Sequence, residues 1–352
     1  MPVRHALLAL LLVGTSTPAF AQTYTAAADM LFYGDNTEFA NPFREGETIL
    51  GVSGRVYLDI AISDSVSVRG GFFGSGRFGT HGPIDSYEPM VALEIARGGS
   101  RFVFGSLETT QTEPSVDGPD QETLHRLLPP IQDERLTFRR GQEMGLQWLE
   151  TRARFDHDAW INWQRLNTTE HRERFDAGYR ARVSLASSID LHGQWHLVHE
   201  GGQQFDSGPV SDSQAGAIGA EWDRSLGGRR VTLDAHAVGT RNVLDRARPS
   251  LTRSGFGVFT RAAYTHGVWR SHIIVWRGAD LVKAEGDPNY LSVRLTGRLD
   301  RKTRDYGEVG LTRQFRPAPG VTMFAAVRLH RIDARYEYSY RIEGRVRIRQ
   351  PL

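Results

Sequence analysis

The sequence contains no cysteine, which excludes disulfides, thiolate metal sites and cysteine nucleophiles. Lysine is nearly as scarce: Lys283 and Lys302 are the only two, so almost every cation is an arginine. Formal charges nearly cancel, to a net of +2, and are interspersed along the chain. Without a basic run, no nucleic-acid partner is expected. Long apolar runs are also missing. The stretch from Ala6 to Val13 is far short of the roughly 18 residues a helix needs to cross a bilayer.

That short stretch follows Arg4 and leads to Ala19-Phe20-Ala21, the pattern of a secretory signal peptide cut before Gln22. Residues 1–21 are therefore expected to be a cleaved leader, and residues 22–352 a single mature domain.

With 39% hydrophobic and 24% charged residues, the bulk composition resembles that of a soluble protein. The residue order says otherwise. At the C-terminus Tyr336, Tyr338, Tyr340, Ile342, Gly344, Val346 and Ile348 alternate with Glu337, Ser339, Arg341, Glu343, Arg345, Arg347 and Arg349. Successive side chains of a strand point to opposite faces, so this segment divides an apolar environment from a wet one. The pattern recurs, for example at Leu50 to Ile60, Phe175 to Leu185, Ile189 to Leu197, Val231 to Ala237 and Val321 to Leu329. A soluble sandwich would have to bury one face of each sheet in a dry core, where so many unpaired charges are costly. The pattern predicts an all-β fold: a closed antiparallel transmembrane β-barrel.

Short turns are expected at Ser63 to Ser65, Arg97 to Ser100, Phe155 to Asp158, Ser187-Ser188, Asp223 to Gly228, Thr265 to Gly267 and Pro317 to Gly320. Longer links fall between them, at Gly34 to Glu47, Ser75 to Ser86, Glu108 to Gln142, Asn167 to Arg174, Gly201 to Ser211, Arg241 to Ser254 and Gly278 to Arg304. Short turns belong to the periplasm and long loops to the outside. Seventeen segments alternate, an odd number that would strand the C-terminus on the wrong side. Demoting Leu291 to Leu299 to a loop leaves sixteen strands, with fourteen or eighteen as alternatives. Trp222 and Trp269 then mark the lower aromatic girdle, and Tyr336, Tyr338 and Tyr340 the upper one.

With these elements the chain resembles bacterial outer-membrane β-barrel proteins, and the porin-like ones in size, over essentially its whole mature length. The resemblance implies the outer membrane of a Gram-negative bacterium, contact with outer-membrane lipid, insertion by the barrel-assembly machinery, and a monomer or homo-oligomer. The aromatic residue that usually ends such chains is replaced by Leu352, which keeps its apolar parity.

A barrel this wide must hold water or a folded-in loop. Alternation aims Arg55, Asp59, Arg180, Arg182, Arg341, Glu343, Arg345 and Arg347 at the lumen. Such arginines could select anions, or could be paired wall residues. The leading expectation is a porin-like channel for small polar or anionic solutes. The rival is a plugged structural, adhesive or envelope-assembly barrel, its lumen filled by Glu108 to Gln142, with a helical turn expected at Asp120 to Leu128. No cofactor or metal is expected: His192 and His196 lie about 13 Å apart along one strand and cannot share an ion. The chain is expected not to be an enzyme. The weaker alternative is an outer-membrane hydrolase using His330, Glu337 and Ser339, for which no G-x-S-x-G elbow is present.

Overall fold

A computed structural model describes residues 22–79, 84–110, 123–202, 204–205, 208–300 and 302–352. The expected leader lies outside these residues. Sixteen strands follow one another: β1 (Thr23–Ala40), β2 (Glu45–Ser63), β3 (Val66–Arg77), β4 (Ser86–Arg97), β5 (Ser100–Ser106), β6 (Met144–Arg152), β7 (Phe155–Arg165), β8 (Glu173–Ala186), β9 (Ile189–Gly201), β10 (Ser211–Leu226), β11 (Arg229–Val243), β12 (Thr252–His266), β13 (Trp269–Ala279), β14 (Arg304–Ala318), β15 (Val321–Ile332) and β16 (Arg335–Pro351). Each pairs antiparallel with its sequence neighbours, and β1 pairs with β16 from Thr25↔Pro351 to Glu38↔Tyr338. The sheet therefore has no free edge, which is what a strand needs to sit in lipid with its amides satisfied.

Burial is inverted relative to a soluble protein. Tyr336, Tyr338, Tyr340 and Ile342 are 48–70% exposed, whereas Glu337, Ser339, Arg341 and Glu343 between them are buried. Alternation thus puts apolar side chains outside and charged ones inside the wall. No helix among the described residues is long and apolar enough to cross a membrane; the strands do so. Leu291 to Leu299 stays out of the wall and contributes a single bridge, Val293↔Leu299.

The seven connections at one end are tight. Gly98 and Gly99 (φ 58° and 91°) and Gly227 and Gly228 (φ 57° and 76°) take the left-handed conformation that two-residue hairpins demand. At the other end the link expected from Gly34 to Glu47 shrinks, because β1 and β2 keep pairing to Ala40↔Glu45 across a bulge.

Two long connections of that outer end turn inward. Leu107, Leu127, Leu128 and Ile131 from one, and Leu281, Tyr290 and Leu291 from the other, bury against Trp160, Val238, Phe259, Trp276, Tyr306 and Ile332 of the wall. Each such apolar side chain contributes roughly 2 kcal/mol. The loops also bond to each other, Asp133 N to Glu285 O at 2.6 Å and Asp287 N to Pro129 O at 2.9 Å. Gln194 of β9 anchors them by accepting from Leu128 N at 2.8 Å. The helical turn expected at Asp120 to Leu128 is absent from its described part, residues 123–128. There the Thr123 hydroxyl binds both Leu127 N (2.7 Å) and Leu127 O (3.1 Å), diverting backbone groups from a helix. Further along the same connection a helical turn forms at α1 (Leu136–Arg139).

Candidate functional site

Each of the eight residues that alternation assigns inward is held in an ion pair. Arg55 and Arg347 clasp opposite oxygens of Asp29 at 3.0 and 3.1 Å. Asp59 holds Arg69 at 2.7 Å, and Arg69 reaches on to Glu108 of the first inward loop. Arg180 binds Asp156 at 2.9 Å, and Arg182 bridges Asp156 and Asp190. Arg341 spans Asp35 at 2.8 Å and Glu134 at 2.9 Å. Arg345 pairs with Glu343 at 3.3 Å and donates to Thr110 O.

The inward loops are held by buried charge as well as by packing. Burial works to raise the pKa of Glu134, but Arg328 (2.7 Å) and Arg341 overcome it and hold the carboxyl down at about 2. His125 stacks on Trp160 at 3.7 Å and sits between Glu143 (2.6 Å) and Asp158 (2.9 Å). Burial would lower its pKa, yet the two carboxylates raise it to about 10. An imidazole held protonated at neutral pH between two acceptors is a clasp, and a poor general base.

A different histidine has the opposite arrangement. On β16, Ser339 Oγ lies 2.8 Å from His330 Nε2 of β15, and His330 Nδ1 lies 2.8 Å from the Tyr306 hydroxyl of β14. Tyr306 donates its single proton to Glu308, which also accepts from His272 Nε2 at 2.7 Å. An ionised carboxylate only accepts, so the tyrosine oxygen must accept from His330 Nδ1–H. In the uncharged imidazole this leaves the lone pair on Nε2, positioned to accept the Ser339 hydroxyl proton. The arrangement lines up a hydroxyl, an imidazole and an orienting phenol and carboxylate in one chain of hydrogen bonds, the residue types that nucleophilic catalysis requires.

Local sequence builds this chain strand by strand. Glu308 lies opposite His330 in the β14–β15 register, and Glu337 opposite His330 on β16. Gly310 leaves room for His272, whose ring lies where a β-carbon at 310 would be, and so lets it reach Glu308. Phe39 packs edge-on against the His330 ring at 4.9 Å and shields it from water.

Of the residues singled out in sequence, the structure joins His330 and Ser339. Glu337 is not their orienter; its carboxylate instead accepts from Ala40 N at 3.0 Å and Asn41 Nδ2 at 2.7 Å. The orienting pair, Tyr306 and Glu308, was missed, although both occupy alternate inward positions of β14. His196 binds Asp176 at 3.0 Å, well separated from the surroundings of His192.

Several solved outer-membrane proteins share the fold. A loop-deletion form of OmpT, an outer membrane protein of Vibrio cholerae, is similar with a TM-score of 0.59 and 11% identity, over 93% of this chain and 100% of that one. OccK8 (OprE) of Pseudomonas aeruginosa gives 0.54 at 11% identity, over 94% and 98%. An anion-selective porin from Comamonas acidovorans gives 0.54 at 6% identity, over 93% and 99%. At these identities the likeness shows the barrel alone. No curated protein matches the chain by sequence. The family model of lipid A 3'-O-deacylase type, however, matches residues 17–350. That finding overturns the expectation of a chain without enzymatic activity, which rested on the lack of a serine elbow. This outer-membrane β-barrel belongs to the lipid A 3'-O-deacylase-type family.

Proposed function

We propose that the chain is an outer-membrane ester hydrolase that removes an O-linked acyl chain from lipid A, with Ser339 as nucleophile and His330 as general base. The observation that carries the reading is the 2.8 Å contact from Ser339 Oγ to a His330 whose tautomer is set by Tyr306 and Glu308. Family membership supplies the reaction class. In this reading Ser339 attacks the ester carbonyl as its proton passes to His330 Nε2. The imidazolium, held by Tyr306 and Glu308, returns that proton to the departing sugar alkoxide. Water activated by the same imidazole then releases the fatty acid from Ser339. Ser339 lies near the outer end of β16, so the ester enters past Phe39 and Asn41 from the outer mouth.

The test is mass spectrometry of lipid A in mixed micelles with detergent-folded protein. Wild type should remove one fatty acid, and Ser339→Ala and His330→Ala should each slow this about 10^3-fold or more. Undiminished deacylation by Ser339→Ala would remove the assignment. A second reading, permeation of small polar or anionic solutes, draws on the arginines of the short-turn half. It requires the inward loops to part, and conductance of the folded protein in a planar bilayer tests it. Absence of both activities would leave a plugged structural barrel.

A further inference from the structure

We propose that Asp190, His192 and Glu221 form a binding site for one divalent transition-metal ion, of the zinc class, at the short-turn half of the lumen. The site is independent of the proposed hydrolysis, because it lies on β9 and β10, separated from β14 by the three strands β11 to β13.

Strand register assembles it. Gly219 of β10 stands between His192 on β9 and His236 on β11, forming one row across the sheet. Two residues further along, Glu221 stands between Asp190 and Asp234, forming the next row. Two imidazoles and three carboxylates thus converge around a glycine that fills none of the space. One ligand atom each from Asp190, His192 and Glu221 falls within 4.8 Å of the other two, a spread that small rotamer changes close onto an ion with bonds of roughly 2.1 Å.

The second observation is that one nitrogen of each imidazole here lacks a hydrogen-bond partner. His192 Nε2 is buried without a hydrogen bond, 4.0 Å from Glu221 Oε2. The His236 side chain is 4% exposed, and its Nδ1 is also without a hydrogen bond. That nitrogen lies 2.3 Å from where a Gly219 β-carbon would stand, so it is aimed into the notch. Buried imidazole nitrogens normally find a partner, and a cation supplies one.

Charges around the notch suit a dication. Arg182 binds Asp190 at 3.2 Å and Arg261 binds Asp234 at 2.9 Å, leaving Glu221 as the carboxylate that, among the described residues, no arginine contacts at ion-pair distance. The mixed nitrogen and oxygen donors select zinc-class ions over magnesium or calcium, which prefer oxygen alone. In the other convergent cluster, Asp176, His196 and Glu285, the carboxylates are already engaged by the amides of Asn162 and Gln164 and the guanidiniums of Arg140 and Arg174.

The experiment uses the full-length, detergent-folded barrel, stripped with EDTA and titrated calorimetrically with Zn(II), with folding of each variant checked by heat-modifiable gel mobility. One ion per barrel should bind, and equimolar Mg(II) should not displace it. His192→Ala and Glu221→Gln should each weaken binding about 100-fold, while His171→Ala, in an exposed loop, leaves it unchanged. Co(II) on the wild-type protein gives a second readout free of mutagenesis: visible d–d bands that Zn(II) bleaches. Absence of saturable Zn(II) binding by wild type, or stoichiometric binding that survives both folded variants, would overturn the proposal.

Discussion

The two halves of the lumen are lined by the same alternating strands yet are different environments. In the outer half, Arg328, Arg341 and Glu134 are 5–6% exposed at their side chains and lock together beneath a packed apolar plug. In the short-turn half, Arg182 and Arg347 are 46% and 33% exposed, though they too are paired. The difference comes from connection length. Only the outer end has loops long enough to fold back, so only there is a charged wall roofed over and its dielectric lowered. A wall residue therefore acquires chemistry from what covers it, and the serine relay lies where the cover is.

Removing the cover should produce the largest effect. Deleting residues 108–142 should convert a closed barrel into one with large conductance steps in a planar bilayer; unchanged conductance would mean that the second inward loop suffices as a plug. Next, Glu134→Gln removes the carboxylate that two buried guanidiniums share, leaving Arg341 to Asp35, and should loosen the plug by about 2–3 kcal/mol. Limited proteolysis of the 107–143 connection reads this as faster cleavage, and a cleavage rate equal to wild type would show that the apolar cluster alone seats the loop.

Titration should sharpen the contrast at smaller scale. His125 has a folded pKa of about 10, above its ordinary 6.5, so its contribution is complete below pH 6.5 and is lost as pH rises through 10. Glu134, held at about 2, contributes above pH 4.5 and loses its contribution as pH falls toward 2. Loop proteolysis should therefore be slowest between these limits and speed up on both sides, whereas a flat profile would contradict the charge clasps. The smallest effect is expected at the open end: Arg182→Ala should change stability by less than about 1 kcal/mol in denaturant melts.

Much of this was legible in the sequence. Period-two alternation gave the wall, the parity argument gave sixteen strands, and connection lengths gave the end that carries loops. His330 and Ser339 could be paired because a tight hairpin at Asp333 joins their strands and sets the register. Tyr306 and Glu308 could not be added to them in the same way. A bulge between Phe315 and Ala318 slips the β14–β15 register by one residue, and counting from the turn would place Arg331 opposite Glu308 in place of His330. The sequence carries no serine on a strained strand-to-helix elbow, so the enzymatic character of its family is not legible from a motif. In the proposed relay the serine lies within a strand, with His330 on the adjacent strand and Tyr306 and Glu308 on the one beyond. The plug loops showed length but no periodicity, so their inward fold was one of two open readings.

Reaction of the folded wild-type barrel with a fluorophosphonate ester, followed by peptide mass spectrometry, tests the central claim most directly. A phosphonyl adduct on Ser339, lost in His330→Ala and slowed in Glu308→Gln, is the predicted result. A protein that deacylates lipid A while Ser339 stays unmodified would contradict the account.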